Sequence, residues 1–233
     1  MPGIFDAVYG RNFEEVKRMV NEYPETAHIK DRNGWTPLDF AVSYGNPDMV
    51  QFLFEKSGGQ LNLDIYCDGK WTPIHSAACY GDVATLKWVF ARNIFSLDML
   101  KMKDSLRRTP LDCAIAYSKP EIAQFLFEKG GKPNLEVYCN REHTPVHEAA
   151  RVGCAGTLRW VFMEKNILSP DVLRIESAIG RRTPLDLAIA FGNLEIAKLL
   201  WEMRGRPNLE TYCDGRWTSV HHATHCGHIA TLK

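Results

Sequence analysis

The chain carries no net charge, no long apolar run and no paired-cysteine motif, and each absence removes a class of protein. Its 28 lysines and arginines balance 28 aspartates and glutamates, so bulk electrostatics argue against a dedicated nucleic-acid binder. No apolar stretch approaches the roughly 18 residues that a membrane span needs. The amino terminus, MPGIFDAVYGRNFEEV, lacks the basic start and apolar stretch of a secretory signal. Seven cysteines, an odd number, include no C-x-x-C pair, and the nearest two, Cys67 and Cys79, lie twelve residues apart. This pattern argues against a disulfide framework and for reduced thiols in an intracellular protein, cytoplasmic or nuclear and not secreted. A Gly-rich phosphate loop, G-x-S-x-G and H-E-x-x-H are also missing, so neither a catalytic centre nor a cofactor is expected. What is present, 45% apolar and 24% charged residues, is an ordinary core-forming composition that excludes disordered and collagen-like chains. A length of 233 residues leaves room for one large domain or two ordinary ones.

Internal repetition decides between these. Thr-Pro-Leu-Asp occurs at Thr36, Thr109 and Thr183, with Thr-Pro-Ile-His at Thr72, Thr-Pro-Val-His at Thr144 and Thr-Ser-Val-His at Thr218 between and after them. Successive threonines stand 36, 37, 35, 39 and 35 residues apart. A longer period overlies this one. Tyr66-Cys67-Asp68, Tyr138-Cys139-Asn140 and Tyr212-Cys213-Asp214 recur at 72 and 74 residues, and TLKWVF at Thr85 is echoed by TLRWVF at Thr157 and TLK at Thr231. Alternate repeats resemble each other more than neighbours do, as duplication of a two-repeat unit would produce.

Each unit reads as two short helices. Thr36 suits an N-cap, Pro37 the first helical position, and Asp39 the third, where a carboxylate reaches back toward the cap and favours the helix dipole. The helix runs to Gly45, a natural stop. A second helix over 48–56 carries Met49, Val50, Phe52 and Leu53 at helical spacing, matched by Ile122, Ala123, Phe125 and Leu126 and by Ile196, Ala197, Leu199 and Leu200. Neither helix is long enough to be stable alone, so neighbouring units must supply the burial. Asp68-Gly69 and Asp214-Gly215 favour tight, hairpin-like turns. Ser96-Leu97-Asp98 and Ser169-Pro170-Asp171 each look like the start of an extra helical turn.

These residues resemble the ankyrin-repeat family, whose unit of about 33 residues has a T-P-L-H-x-A core. The resemblance covers nearly the whole chain. It implies an all-α solenoid of stacked helix–turn–helix units joined by short β-hairpin-like turns, one array over 1–233. The units are expected at 2–30 (divergent, with two short helices), 31–66, 67–103, 104–138, 139–177, 178–212 and 213–233, the last truncated. The repeats run two to six residues long, and Ser118 stands where a glycine should close the first helix of repeat four. The turn glycine is displaced in repeats three and seven and absent from the turns of repeats four and five. No polar terminal cap is visible at Lys233, so further chain is expected beyond it.

The resemblance also implies a concave binding face built from turn tips and first-helix surfaces. By position that face holds Arg32, Asn33, Trp35, Tyr44, Asp68, Lys70, Trp71, Tyr80, Arg107, Arg108, Arg141, His143, Arg151, Arg181, Arg182, Arg216 and Trp217. Aromatics and arginines dominate interface energetics, and the arginines point to an acidic patch on a partner protein or to a solvated ridge. The tryptophans serve that face or pack turn against turn. Tyr44, Tyr80, Tyr117 and Phe191 recur at the end of the first helix, as core plugs or as groove residues. His221, His222, His225, Cys226 and His228 form a tempting metal cluster, but His221 and His228 fall on the repeat's own histidine positions and Gly227 breaks the helix, so no metal site is expected. Cys67, Cys139 and Cys213 lie two repeats apart, too far to share zinc or a disulfide. Asp39, Asp112 and Asp186 are explained as helix caps. The function expected is a monomeric, non-catalytic protein-interaction scaffold, or alternatively a substrate-recruiting module of a larger enzyme, a kinase or ubiquitin ligase, extending beyond Lys233.

Overall fold

Threonine before proline sets where each inner helix begins, and the computed structural model shows how these starts are aligned. It describes residues 3–44, 46–59, 61, 72–133, 143–153, 155–164, 170–178, 180–203, 205–208 and 217–232. The described chain is helical throughout, with no strand. The inner helices are α1 (Ile4–Tyr9), α3 (Pro37–Tyr44), α5 (Pro73–Tyr80), α7 (Pro110–Ala116), α9 (Pro145–Val152), α11 (Pro184–Ala190) and α13 (Ser219–His225). Between them come the outer helices α2 (Phe13–Glu22), α4 (Pro47–Lys56), α6 (Val83–Ala91), α8 (Pro120–Glu128), α10 (Ala155–Arg159) and α12 (Leu194–Glu202). Each inner helix packs on the next inner helix and each outer helix on the next outer one, so the chain forms a two-layer stack. No helix among the described residues is long and apolar enough to cross a membrane.

The core lies between and within the layers. Two residues after the first five threonines stand Leu38, Ile74, Leu111, Val146 and Leu185, all buried, whereas Val220 after Thr218 is exposed. Five residues after it stands an alanine in every copy, Ala41, Ala77, Ala114, Ala149, Ala188 and Ala223, likewise buried. A methyl group at that point lets successive inner helices approach closely, as dense interior packing requires. The outer stripe foreseen from the sequence is inside: Met49, Val50, Leu53, Ile122, Ala123, Leu126, Ile196 and Leu200 are buried.

The third residue after each threonine alternates between aspartate and histidine, and the structure gives this alternation a physical meaning. In the aspartate units the side chain closes a capping box: Thr183 N and Oγ1 donate to Asp186 Oδ2 at 2.9 and 2.8 Å, and Thr109 and Thr36 do the same with Asp112 and Asp39. In the histidine units the ring bridges to the following repeat. His147 takes the Thr144 hydroxyl on Nδ1 at 2.7 Å and donates from Nε2 to the Arg182 carbonyl at 2.8 Å. His75 does so with Thr72 and the Arg108 carbonyl at 2.7 and 3.1 Å. Both rings are therefore buried as neutral imidazoles, the tautomer being set by these partners.

Two features depart from regular repetition. The second unit of the TLRWVF type carries one residue more before its asparagine than the TLKWVF copy. The helix absorbs it by widening into a π-turn over Trp160–Glu164 after α10. Both extra helical turns foreseen before the threonines form as short 3-10 helices, Leu97–Lys101 and Pro170–Arg174.

Candidate protein-binding face

The inner helices present their C-terminal ends along one edge of the stack. Eight residues after the six threonines stand Tyr44, Tyr80, Tyr117, Val152, Phe191 and Cys226, and α1 supplies Tyr9 in the same place. The rings touch in sequence: Tyr9 to Tyr44 at 5.0 Å between centroids, Tyr44 to Tyr80 at 6.1 Å and Tyr80 to Tyr117 at 5.3 Å. They are not core plugs. Tyr9 is 64% exposed, Tyr80 42%, Tyr117 38% and Phe191 39%. The Tyr80 hydroxyl donates to that of Tyr117 at 3.4 Å, and partial burial together with this bond pushes the Tyr117 phenol upward from its ordinary value. Arg11 donates to the Tyr44 carbonyl at 2.6 Å, and Arg151 lies 5.8 Å from the Phe191 ring.

At the other end of the inner helices lie the turns. Asp31 N donates to the Trp35 carbonyl at 2.9 Å and Asp104 N to the Arg108 carbonyl at 3.0 Å, while Ser177 N reaches the Arg182 carbonyl at 2.7 Å across one residue more. Arg107 and Arg181 occupy the position of Gly34 and keep its left-handed backbone, with φ of +63° and +48° against +85°. Both arginines are exposed at the tips, Arg181 bonding Glu176 at 2.7 Å.

Between tips and aromatic row sits a polar cluster on α9. His143 Nδ1 and Glu148 Oε1 are 3.0 Å apart, and Arg151 donates to Glu148 Oε2 at 2.9 Å. Burial alone would raise the Glu148 carboxyl, but the bonds from His143 and Arg151 outweigh it and hold the carboxyl below its ordinary value. The His143 ring stacks on that of His147 at 5.8 Å.

The structure divides the residues singled out from the sequence. Arg32, Asn33, Arg107, Arg151, Arg181 and Trp217 are exposed; Tyr44, His143 and Arg182 are half-buried; Tyr80 joins Tyr9, Tyr44 and Tyr117 in the aromatic row. Trp35 and Arg108 are buried, each 5% exposed, and so present almost no surface. Trp35 packs edge-on against Phe40 at 5.4 Å, and Arg108 forms a buried ion pair with Asp104 at 2.7 Å. Asp68, Lys70, Trp71, Arg141 and Arg216 lie outside the described residues, as do Cys67, Cys139 and Cys213. Tyr9 was missed because no tetrapeptide precedes it, although F-D-A-V-Y-G at Phe5 mirrors D-F-A-V-S-Y-G at Asp39. The C-terminal histidines have individual partners: His221 takes the Thr218 hydroxyl at 2.7 Å, His222 and His228 both face the Ala190 carbonyl, at 3.1 and 3.0 Å, and His225 lies against Trp217.

Charge sums to zero but is unevenly placed. The outer helices α2, α4, α8 and α12 each carry more acids than bases, while α6 and α10 each carry one base and no acid. On the inner helices α3, α7 and α11 the only carboxylates are the buried caps Asp39, Asp112 and Asp186, while the turns before them expose Arg32, Arg107 and Arg181. Among the described residues of these units, the inner face is thus aromatic along one edge and exposes arginines along the other.

Comparison with known proteins finds three matching family models: "Ankyrin repeats (many copies)" over residues 4–54, "Ankyrin repeats (3 copies)" over 59–137 and "Ankyrin repeat" over 181–212. Among individual proteins, the chain is 29% identical over 117 residues to NF-kappa-B inhibitor alpha of Sus scrofa, which takes in 50% of this chain and 37% of that protein. It is 29% identical over 214 residues to the "Probable 26S proteasome regulatory subunit p28" of Saccharomyces cerevisiae, covering 87% and 85% of the two chains. A third match, 40% over 53 residues, is to protein phosphatase 1 regulatory subunit 27 of Mus musculus, with 23% and 34% covered. The chain therefore spans little more than a third of the inhibitor and of the phosphatase subunit but most of the proteasome subunit.

Proposed function

The chain belongs to the ankyrin-repeat family, and from that premise we propose that it is a non-catalytic scaffold that binds a partner protein along its inner-helix face. The observation that carries this reading is the contiguous row of tyrosines at the ends of α1, α3, α5 and α7, with Tyr9, Tyr80 and Tyr117 exposed and Tyr44 half-buried between them. Large rigid aromatics supply contact area at little entropic cost and are enriched at binding hot spots. The arginines at the turn tips favour a partner with an acidic patch there. A stack of packed helices is ordered before binding, so association loses little conformational freedom. The relatives, an inhibitor and two regulatory subunits, are named for action on other proteins, which supports the same reading.

The test is capture of partners by the full chain and by four variants of matched stability. Tyr80→Ala and Arg107→Ala alter the inner face; Glu121→Ala and Glu202→Ala alter the outer one. A partner lost with both inner variants and kept by both outer ones is the expected result. Retention by the inner variants would move the binding surface elsewhere.

A further inference from the structure

The inner face has dimensions as well as chemistry, and these narrow what fits it. Along the row, neighbouring tyrosine rings are 5.0 to 6.1 Å apart. That interval matches the roughly 5.4 Å pitch of an α-helix, and falls short of the ~6.8 Å between same-face residues of a strand. Across the face, inner helices of seven or eight residues separate the tyrosine row from the arginine tips by roughly 11–12 Å at 1.5 Å per residue, close to the width of one helix with its side chains. Tyrosine rather than phenylalanine at four successive positions adds hydroxyl donors beside the rings. Among the described residues, the exposed charges at the tips beside the row, Arg32 and Arg107, are basic, and Arg181 further along is paired with Glu176.

We propose that the inner face receives an acidic amphipathic helix of the partner protein, lying along the stack with one apolar side chain per turn against the tyrosine row and its carboxylates toward Arg32 and Arg107. The proposal rests on the scaffold reading above and names the partner's chemistry. Apolar anchors at i, i+4, i+7 and i+11 would each meet the interval of one ring pair, as in other helix-in-groove contacts. Flanking carboxylates would accept from arginine guanidinium groups on one side and tyrosine hydroxyls on the other. A basic helix would meet like charge at the tips, which supplies discrimination as well as attraction.

The experiment is fluorescence anisotropy with the full chain and three labelled synthetic peptides of roughly 16 residues, about four helical turns. The first has leucine at i, i+4, i+7 and i+11 with glutamate and alanine elsewhere. The second has the same composition with leucines at alternate positions, and the third replaces glutamate by lysine. The first peptide is expected to bind at least tenfold more tightly than either other. Tyr80→Ala and Tyr9→Ala should each weaken it about tenfold, with helix content and melting unchanged by circular dichroism, while Tyr80→Phe keeps most of the affinity. Equal binding of the alternating or the basic peptide, or affinity untouched in both alanine variants, would overturn the proposal. If the peptides fail while the natural partner is still lost in Tyr80→Ala and Arg107→Ala, the scaffold reading stands and the acidic helix falls. If those variants also keep every partner, both fall.

Discussion

Ser118 is the place where a single atom group tests the backbone argument. It follows Tyr117 at the end of α7, with φ of +58°, and its amide donates to the Ile115 carbonyl at 3.1 Å while Lys119 N donates to the Ala114 carbonyl at 2.9 Å. The same pair of bonds closes α11 at Gly192 and α13 at Gly227, where φ is +74° and +76°. This is the Schellman arrangement, which favours glycine because a β-carbon is strained in the left-handed region. Holding serine there costs about 1–2 kcal/mol. The Ser118 hydroxyl is also buried, with no hydrogen-bond partner among the described residues, which costs about 1 kcal/mol more. Ser118→Gly removes both, against roughly 0.5–1 kcal/mol for glycine's greater freedom when unfolded, leaving a net stabilisation of about 1–2 kcal/mol. Ser118→Ala removes only the hydroxyl and should stabilise by about 1 kcal/mol or less. Urea unfolding should show midpoints ordered Gly, Ala, Ser with unchanged slopes, and amide exchange at residue 119 should slow most in the glycine variant. A glycine variant less stable than the wild type would refute the assignment of strain, and an alanine variant equal to glycine would refute its division.

Other perturbations follow from buried polar groups. Arg108→Ala leaves the Asp104 carboxylate buried without its guanidinium, keeping only the backbone donors Leu106 N and Arg108 N; about 3 kcal/mol should be lost in denaturant titration. Burial pushes the His147 imidazole down to about 4 from an ordinary value of 6.5, and the His75 ring moves the same way for the same reason. The unfolded chain therefore takes up protons first, so stability is complete above pH 6.5 and declines as pH falls from there toward 4. From His147 alone the loss is about 2 kcal/mol at pH 5. Urea midpoints at pH 7.5 and 5.0 should show this decline, and His147→Gln should reduce it. Ala114→Leu inserts three carbons where two inner helices meet and should cost 1–3 kcal/mol or more, read as a lowered melting temperature with the outer-helix substitution Glu121→Ala as the neutral reference.

The sequence alone determined what depends on neighbours along the chain. Threonine, proline and the aspartate or histidine after them start each inner helix, and Gly192 or Ser118 stops it, because capping is a matter of a few adjacent backbone groups. The recurrence of those signals set the number and order of helix pairs, and the apolar stripe at Met49, Val50 and Leu53 identified which side is buried. Only the stacked structure decided the fate of side chains whose surroundings come from the next repeat or from the fold of a turn. Arg107 and Arg108 are adjacent and chemically identical, yet one reaches solvent and the other closes a buried pair with Asp104, since the left-handed turn at Arg107 sends consecutive side chains in opposite directions. Trp35 is buried against Phe40 although it reads equally well as a surface aromatic, and Tyr80 is exposed although it reads equally well as a core plug. Tyr80 has its place set by Tyr44 and Tyr117, rings of the neighbouring units 36 and 37 residues away, whereas Arg108 and Trp35 meet Asp104 and Phe40 only four and five residues off, across turns whose conformation decides which side chain is folded inward.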